Sequence, residues 1–268
     1  MRRLALALCC AAGCAETQRA AEALPSSVSV GHSLLTIDAE APGERDELPR
    51  LATLAAEALA AIQPWGGLRV PTRITVLPDH AELERRTLHP RYGWLRAWAR
   101  YDQVYLQSPR TWRFLFRPTD RQVREVLTHE LTHCAMYQAV SDGSGWSELA
   151  IPLWFREGMA SWTAREGDVR YPVEDLHQFL TEHPDLDPLR QADRMVQNDS
   201  RLVYSAAHWA FDRLAQRGPE RIDRLLEDLR GGQSFEQGFA TAFGESVDEF
   251  EDQVLSAWRG GAARPNRL

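Results

Sequence analysis

The chain has 268 residues, enough for one large domain or two lobes around a substantial core. Its 44% hydrophobic and 26% charged residues are ordinary for a globular protein, which sets aside a disordered or fibrous chain. The net charge of −7, with arginine carrying the positive side, argues against a nucleic-acid partner.

Met1-Arg2-Arg3 and the apolar residues 4–12 read as a short secretory leader. Ala11-Ala12-Gly13-Cys14 resembles a bacterial lipoprotein cleavage box, which would make Cys14 a lipid-bearing N-terminus. Ala11 stands where leucine is usual, and plain secretion is the rival reading. Either way the protein is expected to be exported, to the cell envelope or beyond, with membrane contact only through Cys14. Residues 15–27 read as a tether and 261–268 as a tail. Three of the four cysteines lie in the leader, so Cys134 alone remains and no internal disulfide can form.

Strand patterns occupy 28–38, 70–77 and 98–107, and an Ala/Leu-rich helix covers 48–62. A helix over 120–140 contains no Pro or Gly, with Asp120 as its expected N-cap. Beyond it the chain reads as helical at about 152–165, 173–182, 201–217, 219–230, 234–243 and 246–258. Gly218-Pro219 and Gly231-Gly232 mark breaks between helices. The expected class is α+β: an N-terminal lobe (28–145) with a mixed sheet, then an all-helical lobe (146–260). The cleft between them would hold the functional site.

The central helix carries His129-Glu130-Leu131-Thr132-His133. Histidines at i and i+4 leave one helix face and can grip one metal ion. Glu130 sits about 100° round from His129, beside a metal-bound water without being a ligand. A zinc ion in an open site lowers the pKa of its water toward ~7, and a nearby carboxylate can take the proton. The alternative is a buried helix whose histidines bond neighbouring backbone.

A catalytic zinc needs a third protein ligand. A third histidine six residues after His133 would need Gly at 136 and His at 139, but Met136 and Ala139 stand there. Glu157 is the other candidate. It lies in Pro152-Leu-Trp-Phe-Arg-Glu-Gly-Met-Ala-Ser-Trp162, among apolar neighbours where an unpaired acid is costly to bury. Cys134, about 100° from the ligand face, reads as a small buried residue instead.

The pentapeptide followed by Trp154-Phe-Arg-Glu-Gly-Met-Ala160 resembles the gluzincin metallopeptidases, the thermolysin-like clan, and within them small bacterial peptidase MA-like domains. The resemblance runs from about residue 70 to 258. It implies a zincin-like fold, Zn2+ held by His129, His133 and Glu157, and Glu130 as general base. It implies a Tyr at the start of a later helix supporting the oxyanion. The match is Tyr204, with His208 one turn on as the alternative donor. In thermolysin-like enzymes an Asp four residues past the third ligand orients a ligand histidine; Ser161 stands there. The edge strand of such folds pairs with extended peptide, and 98–107 is the segment expected to do so. The implied activity is zinc-dependent cleavage of a peptide or protein substrate, with internal cleavage favoured because no pattern for holding a free N-terminus is recognisable. Two other classes stay open: a non-catalytic metal-binding envelope lipoprotein, and a metallohydrolase of non-peptide substrates.

Overall fold

A computed structural model describes residues 25–32, 34–90, 92–112, 117–144 and 150–261. The leader, the lipid-box cysteine and nearly all of the tether and tail lie outside these residues. No helix among the described residues is long and apolar enough to cross a membrane. The fold is α+β, with one mixed five-stranded sheet followed by a run of helices.

The first expected strand is a hairpin of two. β1 (Ser27–Ser29) runs antiparallel to β2 (Leu35–Ala39). Gly31 between them has φ +58, a left-handed conformation that turns the chain. α1 (Leu48–Ala61) follows and buries Leu51, Leu54, Ala55 and Ala58 on one face. β3 (Thr72–Leu77) lies parallel to β2, with Ile37 opposite Ile74. A helix that hydropathy did not signal comes next, α2 (His80–Thr87). Only Leu83 and Thr87 of it are buried, so it has no apolar stripe to read, and the Asp79 cap sets its start.

The expected strand over 98–107 is also a hairpin, β4 (Ala97–Ala99) and β5 (Gln103–Gln107). Arg100, Tyr101 and Asp102 make the connection. The sheet order is β1-β2-β3-β5-β4, so β5 is interior, and of this hairpin it is the short β4 that forms an edge, with β1 at the opposite edge.

α3 (Asp120–Val140) is the long helix expected. Its cap is Thr119 rather than Asp120: the Thr119 side chain accepts from Gln122 N, and Gln122 returns a bond to Thr119 N. Asp120 is the first helical residue, where its charge favours the helix N-terminus.

The helical part comprises α4 (Leu153–Thr163), α5 (Val173–Glu182), the short α6 (Ala192–Met195), α7 (Ser200–Ala215), α8 (Pro219–Arg230), α9 (Phe235–Phe243) and α10 (Val247–Arg259). Pro152 caps α4 from outside its first turn. The apolar interior forms two large clusters. One joins the sheet to α1 and the first four turns of α3, through residues such as Leu127, Leu131 and Ala135. The other fills the helical part and takes in Met136, Ala139 and Val140 from the last turns of α3. The same helix is thus the shared wall of both cores, and the histidines sit where it passes from one to the other.

Candidate metal centre

His129 and His133 leave α3 on one face, and Glu157 comes from the second turn of α4. His129 Nε2 lies 3.2 Å and His133 Nε2 3.5 Å from Glu157 Oε2. One ligand atom from each residue falls within 4.8 Å of the others, so the three could hold a metal ion. Two ligands each about 2.0–2.1 Å from a tetrahedral zinc are about 3.3–3.4 Å apart, which the observed spacings bracket. His133 Nδ1 is buried and has no hydrogen-bond partner. Two imidazoles with one carboxylate are the donor chemistry of an open zinc site. Burial would raise the Glu157 carboxyl, but His133 and His129 beside it outweigh that and hold it well below the usual range.

The approach of α4 has a sequence cause. Gly158, directly after Glu157, faces α7 so closely that a Cβ there would lie 2.4 Å from Ala207 O and 2.7 Å from Phe211 Cβ. Trp154, one turn back, is fully buried, and its Nε1 donates to Glu251 Oε1 of α10 at 2.7 Å. The glycine and, one turn back on nearly the same face, the bonded tryptophan fix the depth and rotation of the helix that delivers Glu157.

α3 is fixed by Gln138, which is wholly buried. Its Nε2 donates to Thr72 Oγ1 and Tyr101 O at 3.0 and 2.7 Å, and its Oε1 accepts from Arg69 N and Val70 N at 2.7 and 3.2 Å. The amide therefore uses all four of its hydrogen-bonding positions, tying the helix to the start of β3 and the β4–β5 turn.

Glu130 lines the same cleft as the three ligand residues. It accepts a hydrogen bond from the Ala99 backbone of β4, and burial raises its carboxyl against the opposing pull of His129 and His133. The β4–β5 bonds from Gln107 N to Arg96 O and from Arg100 N to Gln103 O set the strand's alternation. The backbone groups of Ala97 and Ala99 therefore face the free edge, toward the cleft.

Tyr204, in the second turn of α7, lines this cleft, with its ring 6.2 Å from that of His129. Burial, then the Glu157 and Glu130 charges, push its hydroxyl well above the usual phenol range. His208 points elsewhere. It lines a separate hollow with Trp162 and Asp212, and its Nδ1 lies 3.0 Å from Ser161 Oγ. Burial lowers its pKa to about 4.

Ser161 does not touch a ligand histidine; its hydroxyl bonds His208 and accepts from Arg170 Nε at 3.0 Å. The carboxylate beside His129 is Glu166, whose Oε1 lies 3.2 Å from Nδ1, off the line of the ring N–H. Arg170 clamps the other Glu166 oxygen. Arg165, at φ +58, turns the chain out of α4 into one 3-10 turn (Glu166–Val169), so that Glu166 comes back to the metal face. No periodicity marks this residue in the sequence. Two more cleft residues escaped sequence reasoning, Tyr137 and Arg156. Tyr137 was within reach of it, since it follows His133 by four and stacks on that ring at 6.3 Å. Cys134 is fully buried with Sγ 3.1 Å from Arg100 O, as its position in the helix implied.

The cleft around these residues has a volume of about 320 Å³. Comparison with known proteins adds little. No protein-family model matches the chain. It is 28% identical over 145 residues to a Bacillus subtilis (strain 168) protein described as uncharacterized protein YhcO. That match covers 52% of this chain and 42% of the relative, so the chain spans less than half of that protein's length.

Proposed function

We propose that this chain is a zinc-dependent peptidase with a zincin-like fold, acting outside the cytoplasm. The observation that carries the reading is the company Glu130 keeps. A metal held for stability alone has no use for a carboxylate beside its open side, yet Glu130 shares the cleft with the three ligand residues and is no member of the ligand set.

His129, His133 and Glu157 would hold the ion. Zinc bound there supplies a Lewis acid and lowers the pKa of a coordinated water toward ~7. Glu130 accepts the proton of the attacking water and returns it to the departing amine. Its proton affinity, raised by burial, lies closer to neutrality than that of an exposed carboxylate. Tyr204 keeps its phenolic proton at neutral pH and donates it in a hydrogen bond to the developing oxyanion. Glu166 and Arg170 hold the outer side of His129, fixing its ring. Extended substrate adds to the free edge of β4, using the backbone of Ala97, while its side chains meet the aromatic rim at Trp94 and Trp98. His208 takes no part in this scheme, because it faces a different hollow.

The test is peptide cleavage under metal control. Purified protein should carry about one zinc per chain and cleave members of a diverse peptide mixture. A chelator should abolish cleavage and added zinc restore it. Cleavage unaffected by complete metal removal would end the proposal.

A further inference from the structure

Arg156 occupies an unusual place for a guanidinium. It precedes Glu157 on α4, lines the metal cleft on the His133 side, and is largely removed from solvent. Its NH1 donates to Tyr137 Oη at 3.2 Å, and its buried Nε has no partner. No carboxylate of the described residues lies within 4 Å of it. Glu157 and Asp193 act on it only through space. Two other arginines of the helical part without a carboxylate partner bond backbone carbonyls: Arg221 bonds Ala242 O and Arg230 bonds Gln138 O. A fixed cation in a sheltered cleft with an idle donor is costly unless an anion meets it. The protein itself is acidic, with a net charge of −7, so unused carboxylates are not scarce in the chain. None of those in the described residues is placed there.

We propose that Arg156, held by Tyr137, is a carboxylate-binding subsite beside the metal centre, which selects peptides bearing an acidic side chain or a free C-terminal carboxylate at that position. With NH1 held by Tyr137, the guanidinium keeps NH2 as a charged donor for a carboxylate, a bond stronger than one between neutral groups. The Tyr137 hydroxyl holds NH1 and so restricts rotation of the fork. Adjacency to Glu157 places the captured group close to the reacting centre, so this contact would set which bond is presented. Arg201, at the first turn of α7, also lines the cleft, but it lies over the Tyr171 ring at 4.3 Å and adds field without an enclosed fork.

The proposal rests on the peptidase reading for the identity of the ligand as a peptide, and its test separates the two. The probes are fluorescein-labelled neutral Ala/Gly/Val octapeptides. One set carries a single Glu or Gln at each position in turn, and another ends in a free acid or an amide. Their binding to zinc-loaded Glu130→Gln protein is measured by anisotropy, and their cleavage by wild type in parallel. At one register the acid should bind about 10–100-fold tighter than its neutral isostere. A Glu position points to side-chain recognition, and the terminal acid alone to C-terminal recognition. Arg156→Met should erase the preference, whereas Arg201→Met, which removes the same charge from the same cleft, should leave most of it. Tyr137→Phe, which keeps the cation and frees the fork, should reduce it several-fold and decides the matter if Arg156→Met fails to fold. Equal binding of acid and isostere at every register would overturn the subsite. Equal losses in Arg156→Met and Arg201→Met would overturn it as well, leaving only a diffuse field. Acid-selective binding without any cleavage would sustain the subsite and sink the peptidase reading; cleavage without acid preference would do the reverse.

Discussion

Glu166 stands second and His208 last in a chain of contacts that starts at a candidate metal ligand: His129, Glu166, Arg170, Ser161, His208. Outer carboxylates of this kind typically contribute 10–100-fold in metal affinity. Glu166→Gln should therefore weaken zinc binding by about that factor in a competitive chelator titration, and should also lower the melting temperature, because the buried Arg170 guanidinium loses its carboxylate. Unaltered affinity would show that Glu166 only pairs with Arg170. His208 makes a different prediction. Its folded pKa of about 4 lies below the ordinary histidine value, so between those values the unfolded chain binds the proton that the folded one refuses. Stability from this group is present above about pH 6.5 and is lost as pH falls toward 4. Between pH 7 and pH 5 the loss should be about 2 kcal/mol, and His208→Asn, which retains a partner for Ser161, should remove that share of the slope in denaturant titrations. An identical slope in the variant would contradict the assignment. Residues in motifs were legible: His129, Glu130, His133 and Glu157 meet in one cleft. Glu166 and Arg156 were not, since one depends on a left-handed turn at Arg165 and the other on which side of α4 faces the cleft.

Two contacts carry most of the burden of placing the helices. At Gly158 any side chain would strike the backbone of α7, so Gly158→Ala must push α4 and α7 apart. Overpacking of this kind costs about 1–3 kcal/mol or more, and here it also moves the neighbouring Glu157. Gly158→Ala should thus lower both the melting temperature and zinc affinity, and retained zinc affinity would show that the α4–α7 spacing does not set the site. At Gln138 truncation leaves Thr72, the Tyr101 carbonyl and two backbone N–H groups without their partner. Gln138→Ala should cost at least about 3 kcal/mol by urea denaturation, because each abandoned buried group costs about 1–3 kcal/mol. The longer helices were legible from sequence because their apolar periodicity is long, whereas α2 and α6 are too short and too little buried to show one. The strands were legible only as extended stretches. Two of them proved to be hairpins, since a turn of Gly31-His32 or Arg100-Tyr101-Asp102 interrupts no apolar pattern visible over ten residues. The hairpin matters, because it puts the three-residue β4 at an edge and β5 inside the sheet.

At the scale of the whole molecule, α3 belongs to both hydrophobic cores, and the cleft opens where it crosses from one to the other. This explains how buried histidines stay accessible: the helix is packed along most of its length, and the turn that carries His129 and His133 lines the cleft. The α+β class followed from the order of periodic segments. The sheet order did not, because nothing in the strand patterns says that β5 pairs with β3 and leaves β4 outside. The central claim is that the cleft activates water through Glu130, and Glu130→Gln tests it most directly. The substitution keeps size and hydrogen bonding but removes the proton acceptor. With zinc content and melting measured alongside cleavage of a verified peptide, the account predicts a fall in rate of about 10²–10⁴-fold with metal and stability nearly unchanged. Wild-type turnover in Glu130→Gln carrying a full complement of zinc would contradict it.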